Sequence, residues 1–567
     1  LAFLSLSAVR AEAGGVVATL RFQPPEVTLD ARGEARISMP GCLTAGDPGT
    51  PLLPSRGAAL LLPPGERVRG LRVRHSAERS IEGTWRVAAA GTPQPSDGSR
   101  LFVETGPLPE IYESDDLHPS SPAALVTVER AWGHDIAFLR VRPLGYRPLS
   151  GRLHWHEEIV VEIETEPSGE ADRLANLRVT PEVRARLSRL VHNPDLLESY
   201  DRLESTIEDA RSRARPREVG SRSLAGAFPR FRSDRPGGVP TPLRVEPGSW
   251  PYVIVTAESL RDAFGPVAVY QSSRGLRAAV VTVEEIAGAY PGVDDAEKIR
   301  NFIKDAYQIW GTSFVLLGGD YDIVPVRRLY ARIQTLEGSF PGEVYYEGLD
   351  GTWNTDGDSR WGEWNEWDLI GEVAVGRAPV ETPAEVGRWL YKTRMYAEAP
   401  VVDDVPKGLF LGEQLDDVTW GDDYMEEVKD PASTHGYTTS GYPGSYLKQT
   451  LYDREGYDGN DVIEQINLGY ATTHHLGHSG IDYVMKIHTE DLPALTNNGI
   501  ERSFMVNYSQ GCDPARFDYS VGDCIAEALI LDEHGSAAFV GNTRYGFFFP
   551  RETDGPSQHF ERQYVDA

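Results

Sequence analysis

Between Ser205 and Pro247 the chain carries RSRARPREVGSRS and then PRFRSDRPGGVPTP, a run of Arg, Pro, Gly and Ser with too little apolar surface to form a core. A stretch of that kind divides what lies on either side, so the chain must fold as separate units. Its 567 residues are in any case too many for one hydrophobic core. The reading is a multi-domain chain with a β-rich unit over 14–204, a linker over 205–247 and a second unit over 248–567.

The two sides of the linker have different textures. Residues 14–170 alternate in short runs, as in Ala137–Arg142 and Ile159–Ile163, between turns such as Pro48-Gly49 and Pro64-Gly65. This predicts an all-β, sandwich-like domain. Thr180-Pro181-Glu182 then opens a helix running to about His192, with Thr180 as cap and Pro181 in the first turn. Beyond the linker, buried strands and amphipathic helices alternate. Strands are expected at Tyr252–Thr256, Ala278–Val281, Phe314–Leu317, Val373–Val375, Gly408–Leu411, Tyr470–Thr473, Phe504–Tyr508 and Ala537–Val540. Helices are expected at Ser259–Ser273, Asp295–Trp310, Pro383–Ala397 and Asp523–Leu531. That order predicts an α/β domain with a mostly parallel sheet flanked by helices, and in such sheets sites form at the carboxyl ends of strands.

Charge narrows the partners. The formal net charge is −29, which repels nucleic acid and anionic lipid and suits extracellular solubility or divalent cations. The apolar Leu1–Val9 followed by Ala11-Glu12-Ala13 reads as the remnant of a secretory signal peptide over 1–13, which places the protein outside the cell or at its surface. No other apolar run reaches membrane-spanning length. The three cysteines are an odd count, so at least one thiol is unpaired and a reactive thiol is worth seeking.

Two strand-end loops carry chemistry. Thr472-Thr473-His474-His475-Leu476-Gly477-His478-Ser479-Gly480 runs from a short strand into a tight turn at His478. Phe504-Met505-Val506-Asn507-Tyr508-Ser509-Gln510-Gly511-Cys512-Asp513 runs from an apolar strand into a small-residue loop ending on Cys512. A cysteine nucleophile needs a neighbouring imidazole to take its proton and backbone N–H groups for the developing oxyanion. Cys524, on a helix among apolar residues, reads as core. Two other readings stand beside the Cys–His pair. His474, His475 and His478 could bind zinc in a hydrolase, and a peptidase fold could serve as a silent scaffold in secretion or at the cell surface.

These loops resemble the gingipain family of cysteine peptidases, which are caspase-like in fold. The likeness runs from Tyr252 to the end and rests on Asp295–Asp320, Glu372–Arg377, Gly477-His478, Ser509-Gln510-Gly511-Cys512 and Val540–Gly546. It implies an endopeptidase with Cys512 as nucleophile and His478 as general base and acid. The oxyanion would lie at the N–H groups of Cys512 and Ser479. Ser479 departs from the glycine usual in the family after this His. The resemblance further implies Asp368 at the base of a pocket selecting Arg or Lys, and Glu343 as the carboxylate that orients the His.

The β-rich segment resembles the family's prodomain in Pro51-Leu52-Leu53-Pro54, which implies a zymogen whose own prodomain covers the site. Arg213, Arg215, Arg217 and Arg222 then become processing positions in an exposed stretch. Finally, Asp350, Asn354, Asp356, Asp358 and Glu363 space oxygen ligands around glycine turns, as a structural calcium (Ca2+) loop would.

Overall fold

The computed structural model describes residues 8–12, 14–30, 32–99, 102–103, 105–169, 176–203, 245 and 248–567. Arg213, Arg215, Arg217 and Arg222 lie outside the described residues.

The N-terminal domain is all-β. Along Glu158–Pro167 every second residue from Ile159 to Thr165 is buried, as a strand with one face on a core requires. It pairs antiparallel with Gly15–Arg21 on one side and Glu66–His75 on the other. Ala8–Glu12, the end of the stretch read as a secretory leader, is a strand paired with Gly15–Arg21. A second sheet runs in the order Ala123–Ala131, His134–Val141, Leu53–Leu61 and Leu43–Ala45. The core of this domain includes Val16, Leu60, Leu139 and Val161. Thr180 caps the Pro181–Leu190 helix as its sequence predicts, the hydroxyl accepting the Val183 N–H at 3.2 Å.

The C-terminal region contains two parallel sheets, not the single one expected. The first is ordered Ala278–Thr282, Tyr252–Thr256, Phe314–Gly318, Ala374–Ala378. The second is ordered Leu447–Tyr452, Lys407–Gly412, Thr472–Leu476, Met505–Ser509, Ser536–Gly541. Fully buried apolar strands read alike wherever they pair, so the sequence pattern could not divide them between sheets. Helices Arg261–Ser273, Asp295–Asp305, Pro383–Ala397 and Ile525–Leu531 connect and cover them. The Asp295 helix continues as a π turn over Ala306–Trp310 and stops at Gly311, whose φ of 73° only glycine adopts without strain. Cys524 sits at the start of the Ile525–Leu531 helix, fully buried. Among the described residues no helix is long and apolar enough to cross a membrane.

The two domains share a core. Leu61 and Trp132 of the β domain, Val183 and Leu187 of the intervening helix, Val255 of the first α/β sheet and Ile299 of the Asp295–Asp305 helix belong to one apolar cluster. Polar groups reinforce that seam. Arg178 donates to the Thr312 carbonyl at 3.0 Å, and the Tyr307 hydroxyl donates to the Asn176 carbonyl at 2.9 Å.

Candidate active site

The Thr472–Leu476 strand delivers Gly477 and His478, and the Met505–Ser509 strand delivers Gln510, Gly511 and Cys512. The strands are parallel neighbours, with His475 opposite Ser509, so their loops leave the same end of the sheet side by side. A Cβ at Gly477 would stand 2.4 Å from the Glu413 carboxyl carbon, so only glycine lets the loop pass there. Asp513 turns the chain away from Cys512 with a φ of 64°, a conformation Asp tolerates better than most residues.

Cys512 is fully buried. Its Sγ accepts the Gly546 N–H at 3.3 Å and lies 3.4 Å from Ser96 Oγ. Burial pushes the thiol up to about 12; the Ser96 and Gly546 contacts lower it only in part, and Asp97 and Asp513 raise it further. In this state the sulfur holds its proton and is no nucleophile.

The N-terminal domain supplies the cover. Gln94–Pro95 adds antiparallel to Phe547–Phe548. The next residue, Ser96, donates its N–H to the Gly546 carbonyl at 2.9 Å and its hydroxyl to the Gln510 carbonyl at 3.0 Å. The Ser96 carbonyl accepts from His478 Nδ1 at 2.7 Å, which fixes that nitrogen as the protonated one. An extended segment is thus added to a strand edge with its backbone between the thiol and the imidazole, the way a peptide is taken up by β-augmentation.

Behind His478 stands Glu413, the residue that follows the Lys407–Gly412 strand. Its Oε2 accepts the His478 N–H at 3.0 Å and its Oε1 accepts His475 Nε2 at 3.0 Å. His475 Nδ1 is 2.9 Å from Ser509 Oγ, which also accepts the Gly511 N–H at 3.2 Å. With Nε2 of His475 donating and Nδ1 accepting, every member of this buried chain is partnered, and it ties the His loop to the Cys loop. Ser479, in place of the family's glycine, donates its hydroxyl to the Cys512 carbonyl at 2.7 Å. The N–H groups of Cys512 and Ser479 have no acceptor among the described residues.

Other expected residues go elsewhere. Glu343 accepts from Arg377 Nε at 2.6 Å, and Glu413 takes the place beside the His478 loop that was expected of it. Asp368 precedes the amino end of the Ala374–Ala378 strand, whereas Cys512 follows the carboxyl end of its own strand. Its Oδ2 accepts the Asp350 N–H at 2.9 Å, and it is buried with Glu372 and Arg300 and not brought to the Cys512 cleft. The zinc reading is corrected by strand geometry. The strand runs to Leu476, two residues past its expected start and three past its expected end, and neighbours on a strand point to opposite faces. His474 accordingly pairs with Glu561 at 2.8 Å and with the Tyr442 hydroxyl at 2.7 Å, while His475 faces Glu413. Of the acidic loop, Asp356, Asp358 and Glu363 bring carboxylate oxygens within 4.8 Å of one another. Asn354 instead donates to the Asp358 carbonyl at 2.9 Å, and Asp350 joins Asp368.

Glu413 marks what sequence reasoning missed and could have found, since it obeys the same rule that located His478 and Cys512: a position within three residues of the carboxyl end of a buried parallel strand. Ser96 carries no such signal, because it lies in a loop of the other domain.

A thiol and an imidazole at the ends of adjacent parallel strands, backed by a buried carboxylate, are the working parts of a cysteine-type hydrolase. The chain belongs to peptidase family C25, which matches residues 246–567, and is a cysteine peptidase by that membership. It is also similar to an uncharacterized protein of Archaeoglobus fulgidus, 24% identical over 349 residues that make up 51% of this chain and 75% of that one. Among solved structures it is similar to the Arg-specific cysteine proteinase gingipain R (TM-score 0.41, 18% identity, 58% of this chain and 68% of that one). It is likewise similar to the complex of Porphyromonas gingivalis RgpB pro- and mature domains (TM-score 0.39, 19% identity, 52% of this chain and 64% of that one). In a third solved protease the chain spans 59% of the length.

Proposed function

We propose that the protein is a secreted cysteine endopeptidase made as a zymogen, with Cys512 as nucleophile, His478 as general base and acid, and the N-terminal domain as its own inhibitor. The observation that carries this reading is Ser96, which touches the thiol with its side chain and the imidazole with its carbonyl. Once the 94–98 segment leaves, solvent returns to the thiol and His478 can take its proton. The thiolate adds to a peptide carbonyl, and the resulting oxyanion is held by the free N–H groups of Cys512 and Ser479. His478 returns the proton to the departing amine, and water then hydrolyses the thioester. Glu413 and His475 position the two loops and touch no reacting atom. The caspase-like arrangement of the catalytic domain is part of this proposal, as is a structural calcium on the Asp356, Asp358 and Glu363 loop.

The preference for Arg or Lys rested on Asp368, which is engaged elsewhere. The P1 residue is therefore read by experiment. The test is hydrolysis of fluorogenic peptides with Arg, Lys, Asp or Ala at P1, in calcium and reductant, for the wild type and Cys512→Ala, before and after nicking with trypsin. Activity that appears on nicking and dilution and is absent in Cys512→Ala supports the proposal. No activity in either form after the N-terminal domain has been removed would overturn it.

A further inference from the structure

The hairpin formed by Ala432–Thr434 and Tyr437–Thr439 turns on His435 and Gly436, whose φ values are 51° and 82°. Such a turn favours Asn, Asp or Gly at its first position, so a histidine there has to be held by what its ring does. Thr553 Oγ1 donates its one proton to Glu427 Oε1 at 2.7 Å and can only accept from His435 Nε2, 2.9 Å away. Nδ1 of the same ring faces Asp554 Oδ2 at 3.6 Å, too far for a hydrogen bond. His435, Glu552 and Asp554 each bring a ligand atom within 4.8 Å of the others, and all three side chains are half-buried. A nitrogen lone pair opposite two carboxylates is repelled unless a positive charge lies between them. Burial pushes Glu552 above the usual carboxylate range; Arg36 offsets this in part and Asp554 adds to it. Near enough to feel the charges of Asp554 and His435 is His559, which burial pushes down and so keeps neutral. Its ring lies on Tyr437 of the same hairpin, centroids 4.6 Å apart, and its buried Nδ1 has no hydrogen-bond partner among the described residues.

The geometry points to a divalent transition ion, of the zinc class, held by His435 Nδ1 and the carboxylates of Glu552 and Asp554, with His559 offering a fourth donor. A mixed nitrogen and oxygen set suits zinc and not a hard ion such as calcium. Zinc takes both donor types at about 2.0–2.2 Å, which sets neighbouring ligands on a tetrahedron about 3.3–3.6 Å apart. The 3.6 Å between His435 Nδ1 and Asp554 Oδ2 is that spacing, too wide for a shared proton and right for a shared metal. Thr553 is the outer partner that fixes the His435 tautomer, as ligating histidines require.

Its position gives it a role. Arg36 of the N-terminal domain reaches Glu552 Oε1 at 3.0 Å. A Cβ on Gly436 would stand 2.4 Å from the Cys42 carbonyl oxygen, so the hairpin turn lies directly against that domain. The Phe547–Phe548 strand, which receives Gln94–Pro95, comes shortly before Glu552 in the chain. An ion that joins Glu552 and Asp554 to the hairpin therefore fixes the loop behind the edge that takes up an extended segment. The site stands apart from Cys512 and does not depend on the peptidase reading.

The test uses the full chain carrying Cys512→Ala, so that it stays intact, with zinc as the probe in calcium-containing buffer at pH 7. Zinc retained per chain is measured by atomic spectroscopy after gel filtration, and melting is followed with and without the ion. His435→Ala and Asp554→Asn are compared with His488→Ala, which removes an exposed histidine elsewhere. The expected result is zinc retained by the parent and by His488→Ala, and bound at least about tenfold more weakly by both site variants. Melting should rise by about 5 °C at zinc about 100-fold above Kd in the former pair and stay unmoved in the latter. Circular dichroism matching the parent shows which variants are folded, and where one fails to fold the isosteric Asp554→Asn or its counterpart decides alone. Zinc retention equal to the parent's in a folded site variant would overturn the proposal. So would a parent chain that binds no zinc, because a protonated His435 would then supply the positive charge between the carboxylates.

Discussion

Ser96 Oγ lies 3.4 Å from Cys512 Sγ, and both groups belong to one hydrogen-bonded strand-end junction with Gly546. The side chain of the N-terminal domain therefore reports on the reactivity of a thiol in the other domain. In the intact chain Cys512 should be alkylated slowly by iodoacetamide. Ser96→Trp cannot be seated against the sulfur, so it should lift the 94–98 segment and speed labelling at least about tenfold, since each unit by which the thiol pKa falls raises the thiolate fraction about tenfold. Peptide mass spectrometry reads this directly, and the buried Cys42 and Cys524 serve as internal controls.

Glu413→Gln keeps the shape of the side chain and removes its charge. The His478 N–H and the His475 ring both lose a charge-assisted acceptor. In the processed enzyme kcat should fall about 10- to 100-fold, worth about 1.4–2.8 kcal/mol, with KM little changed. Steady-state kinetics on a single peptide substrate decides it. A rise in KM at constant kcat would instead place Glu413 in substrate binding.

His474 should matter for stability and not for metal. It is fully buried against Glu561, whose other oxygen accepts from Gln510. His474→Ala leaves that carboxylate buried without its imidazole partner and should cost about 3–5 kcal/mol in denaturant unfolding. Added zinc should neither stabilise the wild type through this residue nor be lost in the variant.

Asp368 gives a pH signature with a definite sign. Asp368 is raised from an ordinary carboxylate value to about 7, first by burial and then by Asp350. The folded state therefore holds a proton that the unfolded state has released. In calcium-free buffer stability should fall as pH rises from about 4 to about 7, and then level off. Asp368→Asn should flatten this slope, as measured by urea unfolding of the Cys512→Ala chain across that range.

Much of this architecture is legible along the chain because local pattern and tertiary role agree. Tyr252–Thr256 and Pro383–Ala397 form the strand and helix their sequences predict, and Thr180 caps where its position dictates. Cys512 and His478 are legible because a strand running into a small-residue loop is a local signal. The misplacements have physical causes. His474 and His475 look like loop residues because a buried strand seldom carries two imidazoles; here Glu561 and Glu413, distant in sequence, supply the partners that make burial tolerable. Asp368 was placed by likeness to a family pattern, but the neighbours that decide its role, Asp350, Glu372 and Trp132, converge only in the fold.

The Gln94–Pro95 strand is held against Phe547–Phe548 by a tether that runs through the whole N-terminal domain. While that tether is continuous, the inhibitor is present at an effective concentration set by chain geometry and is insensitive to dilution. Cutting anywhere between the domains turns the same contact into an ordinary bimolecular complex, with the shared core around Leu61, Val183 and Val255 still holding the pieces together. Cleavage and activation then become separate events. A nicked sample should stay silent when concentrated and wake on dilution, so the moment of release is set by how crowded the enzyme's surroundings are and not by when it was cut.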